Sequence, residues 1–155
     1  MKQLFNFFFF FITFTAFSQQ VAILKYNGGG DWYANPTAIP NLIEFTNTNC
    51  KTNISKTPQT VTASDETIFN YPIIFLTGHG NIFFSDEESE NLKNYLTSGG
   101  FLHISDNYGI DKYIRRELKK VFPKLKLQEI PSNHPIYNQT FTFKNGIPKI
   151  HEHDK

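Results

Sequence analysis

The sequence predicts an α/β domain, a three-layer, mostly parallel sheet with helices on both faces. Three observations lead there. Short apolar runs occur at residues 21–26, 73–77 and 101–104. Segments with helical spacing of apolar residues follow them, at about residues 37–47, 86–98 and 111–122. Glycine or proline punctuates the changes from one pattern to the other, and strands that alternate with helices pair in parallel.

The first twenty residues read MKQLFNFFFFFITFTAFSQQ. Lys2 gives a positive start, Phe7 to Phe14 form an apolar stretch broken by Thr13, and Ala16-Phe17-Ser18 places small residues where a signal peptidase cuts. A membrane anchor needs about 20 apolar residues, and this run is shorter. Residues 1–18 are therefore expected to be a signal peptide and residues 19–155 a single domain, exported to the periplasm or secreted. No later run is long enough to cross a bilayer, so no transmembrane segment is expected after cleavage. The chain carries 15 basic and 14 acidic residues, and losing Lys2 makes them equal. That balance gives no pull toward nucleic acid. Cys50 is the only cysteine, so no intramolecular disulfide can form.

Residues 21–26 are apolar on both faces, as in a covered parallel strand, and stop at Asn27-Gly28-Gly29-Gly30-Asp31. The helix over residues 37–47 tolerates Pro36 and Pro40 only at its start, and Ile39, Leu42 and Ile43 line one face. Residues 48–70 are polar, with a short strand expected near Asn53 or Val61. Residues 73–77 follow Pro72 and end at Gly78-His79-Gly80, which reads as a central strand. Ser85-Asp86-Glu87-Glu88 is a capping box, and the helix it opens carries Leu92, Tyr95 and Leu96 before stopping at Gly99-Gly100. After the strand at residues 101–104 comes Ser105-Asp106-Asn107-Tyr108-Gly109. The last helix buries Ile114, Leu118, Val121 and Phe122, and Arg115, Arg116, Lys119 and Lys120 are expected on its solvated face. Residues 125–130 alternate like a half-exposed strand.

Ligands of open α/β sheets sit beyond the carboxyl ends of the strands, where strand order reverses. Three loops should meet there: Gly28, Gly29, Gly30, Asp31, Trp32 and Tyr33; then Gly78, His79, Gly80 and Asn81; then Asp106, Asn107, Tyr108 and Gly109. The triple glycine either permits a tight turn or brings amides to an anion. It lacks the spacing of a dinucleotide fingerprint and the Lys-Ser/Thr of a phosphate loop, which speaks against a nucleotide. Trp32 and Tyr33 either stack on a ligand or cover the core. His79, between two glycines, is placed as a working imidazole, whereas His103 inside a strand reads as an interior one. His134 sits in a polar turn, and His151 and His153 have a spacing that can hold a divalent metal or simply mark a polar tail. Those three histidines are the metal candidates, with His79 and Asp106 as further ligands.

Tyr26-Asn27-Gly28-Gly29-Gly30-Asp31-Trp32-Tyr33, Pro36-Thr37, and Tyr71-Pro72 leading to Thr77-Gly78-His79-Gly80 together carry a family resemblance. Gly99-Gly100-Phe101-Leu102, Arg115-Arg116-Glu117-Leu118 before Val121-Phe122-Pro123, His134-Pro135-Ile136-Tyr137 and residues 145–154 extend it. With these the chain resembles the bacterial family called domain of unknown function 4159. The resemblance implies a flavodoxin-like, class I glutamine amidotransferase-like fold in an exported or membrane-tethered setting, and no established reaction. Family members usually continue past the His-Glu-His-Asp segment into more strands, so the domain is expected to be incomplete at its C-terminus. Many carry a second acidic residue before Asp106, where this chain has Ser105. Amidotransferases place a cysteine in a turn resembling Cys-Tyr-Gly, and the comparable turn here is Asn107-Tyr108-Gly109. Asparagine cannot attack a carbonyl as a thiolate does, so amidotransferase activity is not expected.

Three classes of function remain open. One is an exported domain that binds an unknown small molecule or protein partner over the three loops without catalysis. Another is a hydrolase, with or without a metal, that uses His79 as base or ligand and Asp106 to orient it. The third is a surface protein acting only through partners, which requires an exposed apolar patch and no converging polar cluster.

Overall fold

The structure, a computed structural model, describes residues 19–145. The expected leader and the two tail histidines, His151 and His153, lie outside the described residues. The chain runs β1 (Val21–Lys25), α1 (Ala38–Asn49), β2 (Gln59–Thr62), β3 (Ile73–His79), α2 (Asp86–Thr97), β4 (Phe101–Tyr108) and α3 (Asp111–Val121). Short 3₁₀ turns lie at Glu66–Asn70 and Pro135–Tyr137. The four strands pair in parallel in the order β2-β1-β3-β4. The chain first moves outward from β1 to β2, then returns past β1 to lay down β3 and β4. Strand order therefore reverses between β1 and β3, and this is the switch point of the sheet.

Alternation along the strands divides two faces. Ala22, Leu24, Ile74 and Leu76 are completely buried in one apolar cluster with Leu92 and Tyr95 of α2 and Ile114 and Val121 of α3. Burying each leucine or isoleucine there contributes about 1.5–3 kcal/mol. Ile23, Phe75 and His103 face the other side, beside Ile39 and Leu42 of α1. The Ser85 capping box forms as its sequence requires, with the Glu88 amide donating to the Ser85 hydroxyl at 3.1 Å and the Ser85 amide donating to the Glu88 carboxylate at 2.7 Å.

Several expectations need correction. Residues 125–130 form no ladder. After the turn at Pro123, Leu125 and Leu127 line a groove with Leu102, Ile104 and Leu118 while staying mostly exposed. Their alternation suits that one-sided apolar contact as well as it suits a strand. His103 is exposed rather than interior, because β4 is the outermost strand of the described sheet and α1 does not cover it. Its ring lies 5.4 Å from that of Phe75. The second strand falls around Val61, while Ile54 makes only an isolated bridge to Gln19.

The basic face of α3 is also not purely solvated. Glu117 is fully buried and accepts hydrogen bonds from the Phe84 amide (2.8 Å) and from Arg116 Nε (2.6 Å), and it pairs with Lys120 Nζ at 2.6 Å. Arg116 Nη2 donates to Asn81 Oδ1 (3.0 Å) and to the Ile82 carbonyl (2.6 Å), and Lys120 donates to the Phe84 carbonyl (2.8 Å). One helix thus grips the whole segment that follows β3. Burial alone would push the Glu117 carboxyl up, but the hydrogen bonds from Lys120, the Phe84 amide and Arg116 outweigh it and hold it below the usual carboxylate range.

Glu117→Gln keeps the shape but removes the charge that two cations share, and should cost about 1–3 kcal/mol in urea unfolding at pH 7. The folded-state pKa lies below the unfolded one, so the wild type's advantage is complete above the ordinary carboxylate range. It should shrink as pH falls through the lowered value. An advantage that grew on acidification would contradict this account.

Candidate functional site

The loops after β1 and β3 leave neighbouring parallel strands at the switch point and are zipped together there. The Phe83 amide donates to the Asn27 carbonyl (2.8 Å), Gly30 to the Asn81 carbonyl (3.0 Å) and Asp31 to the His79 carbonyl (3.3 Å). The Asn81 side chain returns a bond to the Gly28 carbonyl (3.0 Å). Approach this close needs glycine at 28, 30 and 78. A Cβ on Gly30 would lie 2.6 Å from the His79 carbonyl oxygen, and one on Gly78, at φ +139°, would run into the Tyr26 hydroxyl. Tyr26 donates that hydroxyl to the Thr77 carbonyl (3.1 Å). Burial and then the nearby Asp31 charge push its pKa up to about 12. The amides of Gly30 and Asp31 are spent on carbonyls, which removes two of the donors that an anion cradle would use.

At the centre of this crossing Asp31 holds His79. Asp31 Oδ2 lies 2.9 Å from His79 Nδ1, and Asp31 Oδ1 accepts the His79 main-chain amide. The bond from that amide, then the one from the ring, lower the Asp31 pKa. The carboxylate fixes the ring by its Nδ1–H and directs Nε2 away from itself, as an acceptor for a proton, a ligand donor or a metal. The His79 side chain is 51% exposed. It lines an open hollow of about 600 Å³ with Gly80, Tyr108, Gly109 and the first turn of α3.

The other expected residues are distributed as follows. Gly28 and Gly29 take positive φ in the turn itself. Trp32 packs against the core edge, with Lys25 Nζ 5.7 Å above its ring, while Tyr33 is mostly exposed and meets Trp32 edge-on at 5.6 Å. Gly80, also at positive φ, sits beside His79. Asn107 Oδ1 accepts from Asn35 Nδ2 (2.8 Å) and Thr77 Oγ1 (3.3 Å), which ties the third loop to the other two. Asp106 does not orient His79. Its two oxygens accept the amides of Ile110 (3.1 Å) and Asp111 (3.2 Å), so it ties the start of α3 to the end of β4. His134 Nδ1 accepts the Ile136 amide within its own turn. Among the described residues no group of three His, Cys, Asp or Glu side chains is placed to hold a metal. Cys50 ends α1, which returns to the amino edge of the sheet, away from the site.

Two features escaped sequence reasoning. The Asp31–His79 pair depends on β1 lying next to β3, and strand order is not written in local pattern. Glu117 did leave a signal, because it occupies the i+3 place in the apolar stripe that runs from Ile114 through Leu118 to Val121.

Among the described residues no helix is long and apolar enough to cross a membrane. No curated protein matches the chain. A family model does, the one described as domain of unknown function (DUF4159), and it matches residues 20–155. The chain belongs to the DUF4159 family.

Proposed function

We propose that this is an exported ligand-binding domain on a flavodoxin-like, glutamine amidotransferase-like sheet that has no nucleophile at its rim. The observation that carries the reading is the Asp31–His79 pair, a carboxylate-held imidazole at the switch point where small molecules bind open α/β sheets. The β2-β1-β3-β4 order is in keeping with a flavodoxin-like arrangement. His79 is the recognition group, Asp31 is its positioning residue, and the crossed glycine loops form a rigid floor. Asn107 stands in the turn where a nucleophilic cysteine would be needed. A protein that acts only through an apolar surface has no use for such a pair.

A second reading is favoured by the same pair. With Nδ1 held by Asp31, Nε2 can take a proton from water, which is the role of a general base in hydrolysis. That reading takes Asp31 where the sequence suggested Asp106.

Three measurements test these readings. Thermal-shift screening of the mature chain against inorganic phosphate, small carboxylates, amides and sugars should find a probe that raises Tm. His79→Ala should abolish that shift and Asp31→Asn should weaken binding about tenfold, as expected for a charge-assisted orienting bond. A shift that survives His79→Ala unchanged removes the imidazole from the site. For the hydrolase, p-nitrophenyl acetate should be cleaved faster than by free imidazole, and the excess should vanish in both variants. Equal rates for wild type and His79→Ala leave only binding. Expressed with its own leader, the exported protein should have the mass of a chain cut near Ser18, and an uncut mass would argue against export by cleavage.

A further inference from the structure

We infer that the hollow at His79 takes a small hydroxylated carboxylate, a molecule of the sugar-acid kind, with a hydroxyl at His79 and its carboxylate at Lys112. The inference rests on the reading of His79 as the recognition group and adds the class of ligand. Both selecting groups line the hollow and both are open to solvent. The His79 side chain is half exposed, and Lys112 is exposed in the first turn of α3.

What the lining side chains already engage says what the ligand must carry. Asp31 holds the His79 ring through Nδ1, so Nε2 is a lone pair that a ligand meets with a hydrogen-bond donor. A hydroxyl supplies that donor, and a bare carboxylate does not. Asp111 and Lys112 are the charged neighbours of His79 in the lining. Both Asp111 oxygens accept from Arg115 Nε, at 2.8 and 2.9 Å, so that charge is matched. Lys112 forms no ion pair among the described residues. Its Nζ stands 4.7 Å over the Tyr113 ring, which places the ammonium without neutralising it. One positive charge in the lining is thus left unmatched, and a carboxylate answers it one for one. A phosphate monoester carries close to two negative charges, and its second would face Asp111. The hollow, about 600 Å³, admits a sugar-sized body, and Tyr108 and Tyr113 line it with rings against which the C–H face of a sugar can lie.

Three probes separate the two ends. D-glucuronate has both, D-glucose keeps the ring and hydroxyls without the carboxylate, and cyclohexanecarboxylate keeps ring and charge without hydroxyls. In NMR titrations of the purified protein, glucuronate should shift the His79 ring resonances and the Lys112 and Tyr113 amides saturably. Glucose should bind about three- to fivefold more weakly, the worth of an exposed ion pair. Cyclohexanecarboxylate should bind about three- to tenfold more weakly, the worth of one hydrogen bond. Lys112→Met should bring glucuronate down to the affinity of glucose and leave glucose unchanged. The inference fails, with His79 still the recognition group, if glucose or glucose 6-phosphate moves the His79 ring at concentrations as low as glucuronate does. It fails in the same way if Lys112→Met leaves the glucuronate affinity intact, and it fails if no probe gives a saturable shift. Glucuronate binding that survives His79→Ala unchanged removes the imidazole itself, and this ligand assignment with it.

Discussion

Parallel pairing of β1 with β3, while β2 takes the other flank of β1, is the constraint on which the rest of the structure depends. It sends two loops that are distant in sequence off the same edge side by side. Once adjacent, they have many main-chain groups and little room, and they satisfy one another directly. Glycine at 28, 30 and 78 removes the Cβ atoms that would hold them apart. The Asp31 carboxylate then reaches an amide and a ring nitrogen of one residue, His79. The site is thus a by-product of sheet order that three missing side chains make possible.

The same region is held from beneath by α3. A buried carboxylate is a poor source of net stability, since desolvation offsets most of what its ion pairs return. Its value here is in placement. Glu117 needs a donor, takes the Phe84 amide, and draws Arg116 and Lys120 across residues 81–84. Asp106 fixes the start of that helix relative to β4. The rim is therefore gripped on one side by a neighbouring loop and on the other by a helix. At this rim the His79 ring stays half exposed.

Much of the fold was legible because its signals are local. The capping box at Ser85, the stop at Gly99-Gly100 and the apolar stripe of α3 depend on neighbours a few residues away, and the structure contains all three. The segment after β1 could be read as a loop for the same reason. Gly78, His79 and residues 105–108, expected in loops, fall inside the ends of β3 and β4, because parallel pairing carries both strands further than their apolar runs. The partnerships of these segments could not be read. Asp31 and Asp106 are both acidic residues toward the carboxyl end of a strand, and nothing within either segment says which one meets an imidazole 48 residues from Asp31. Residues 125–130 show the opposite failure: a period of two was present, but no strand edge was taken up beside it. His103 was misread because a strand was equated with a covered strand, and the border of a sheet is a property of topology alone.

The alternation of β4 explains why adjacent residues in one turn have unlike roles. Asp106 points with Ile104 toward the helical layer that contains α3, and its oxygens are taken up by the first amides there. Asn107, one step on, falls on the α1 face with Ser105 and His103, where its oxygen is engaged and its nitrogen is not. A side chain at 107 meets Asn35 and Thr77, both of which donate to it. An amide suits the position because it can accept on one side and donate on the other without charge. Asn107 thereby belongs with Asn35 and Thr77 on the α1 face, while the imidazole that Asp31 holds stands at the end of β3.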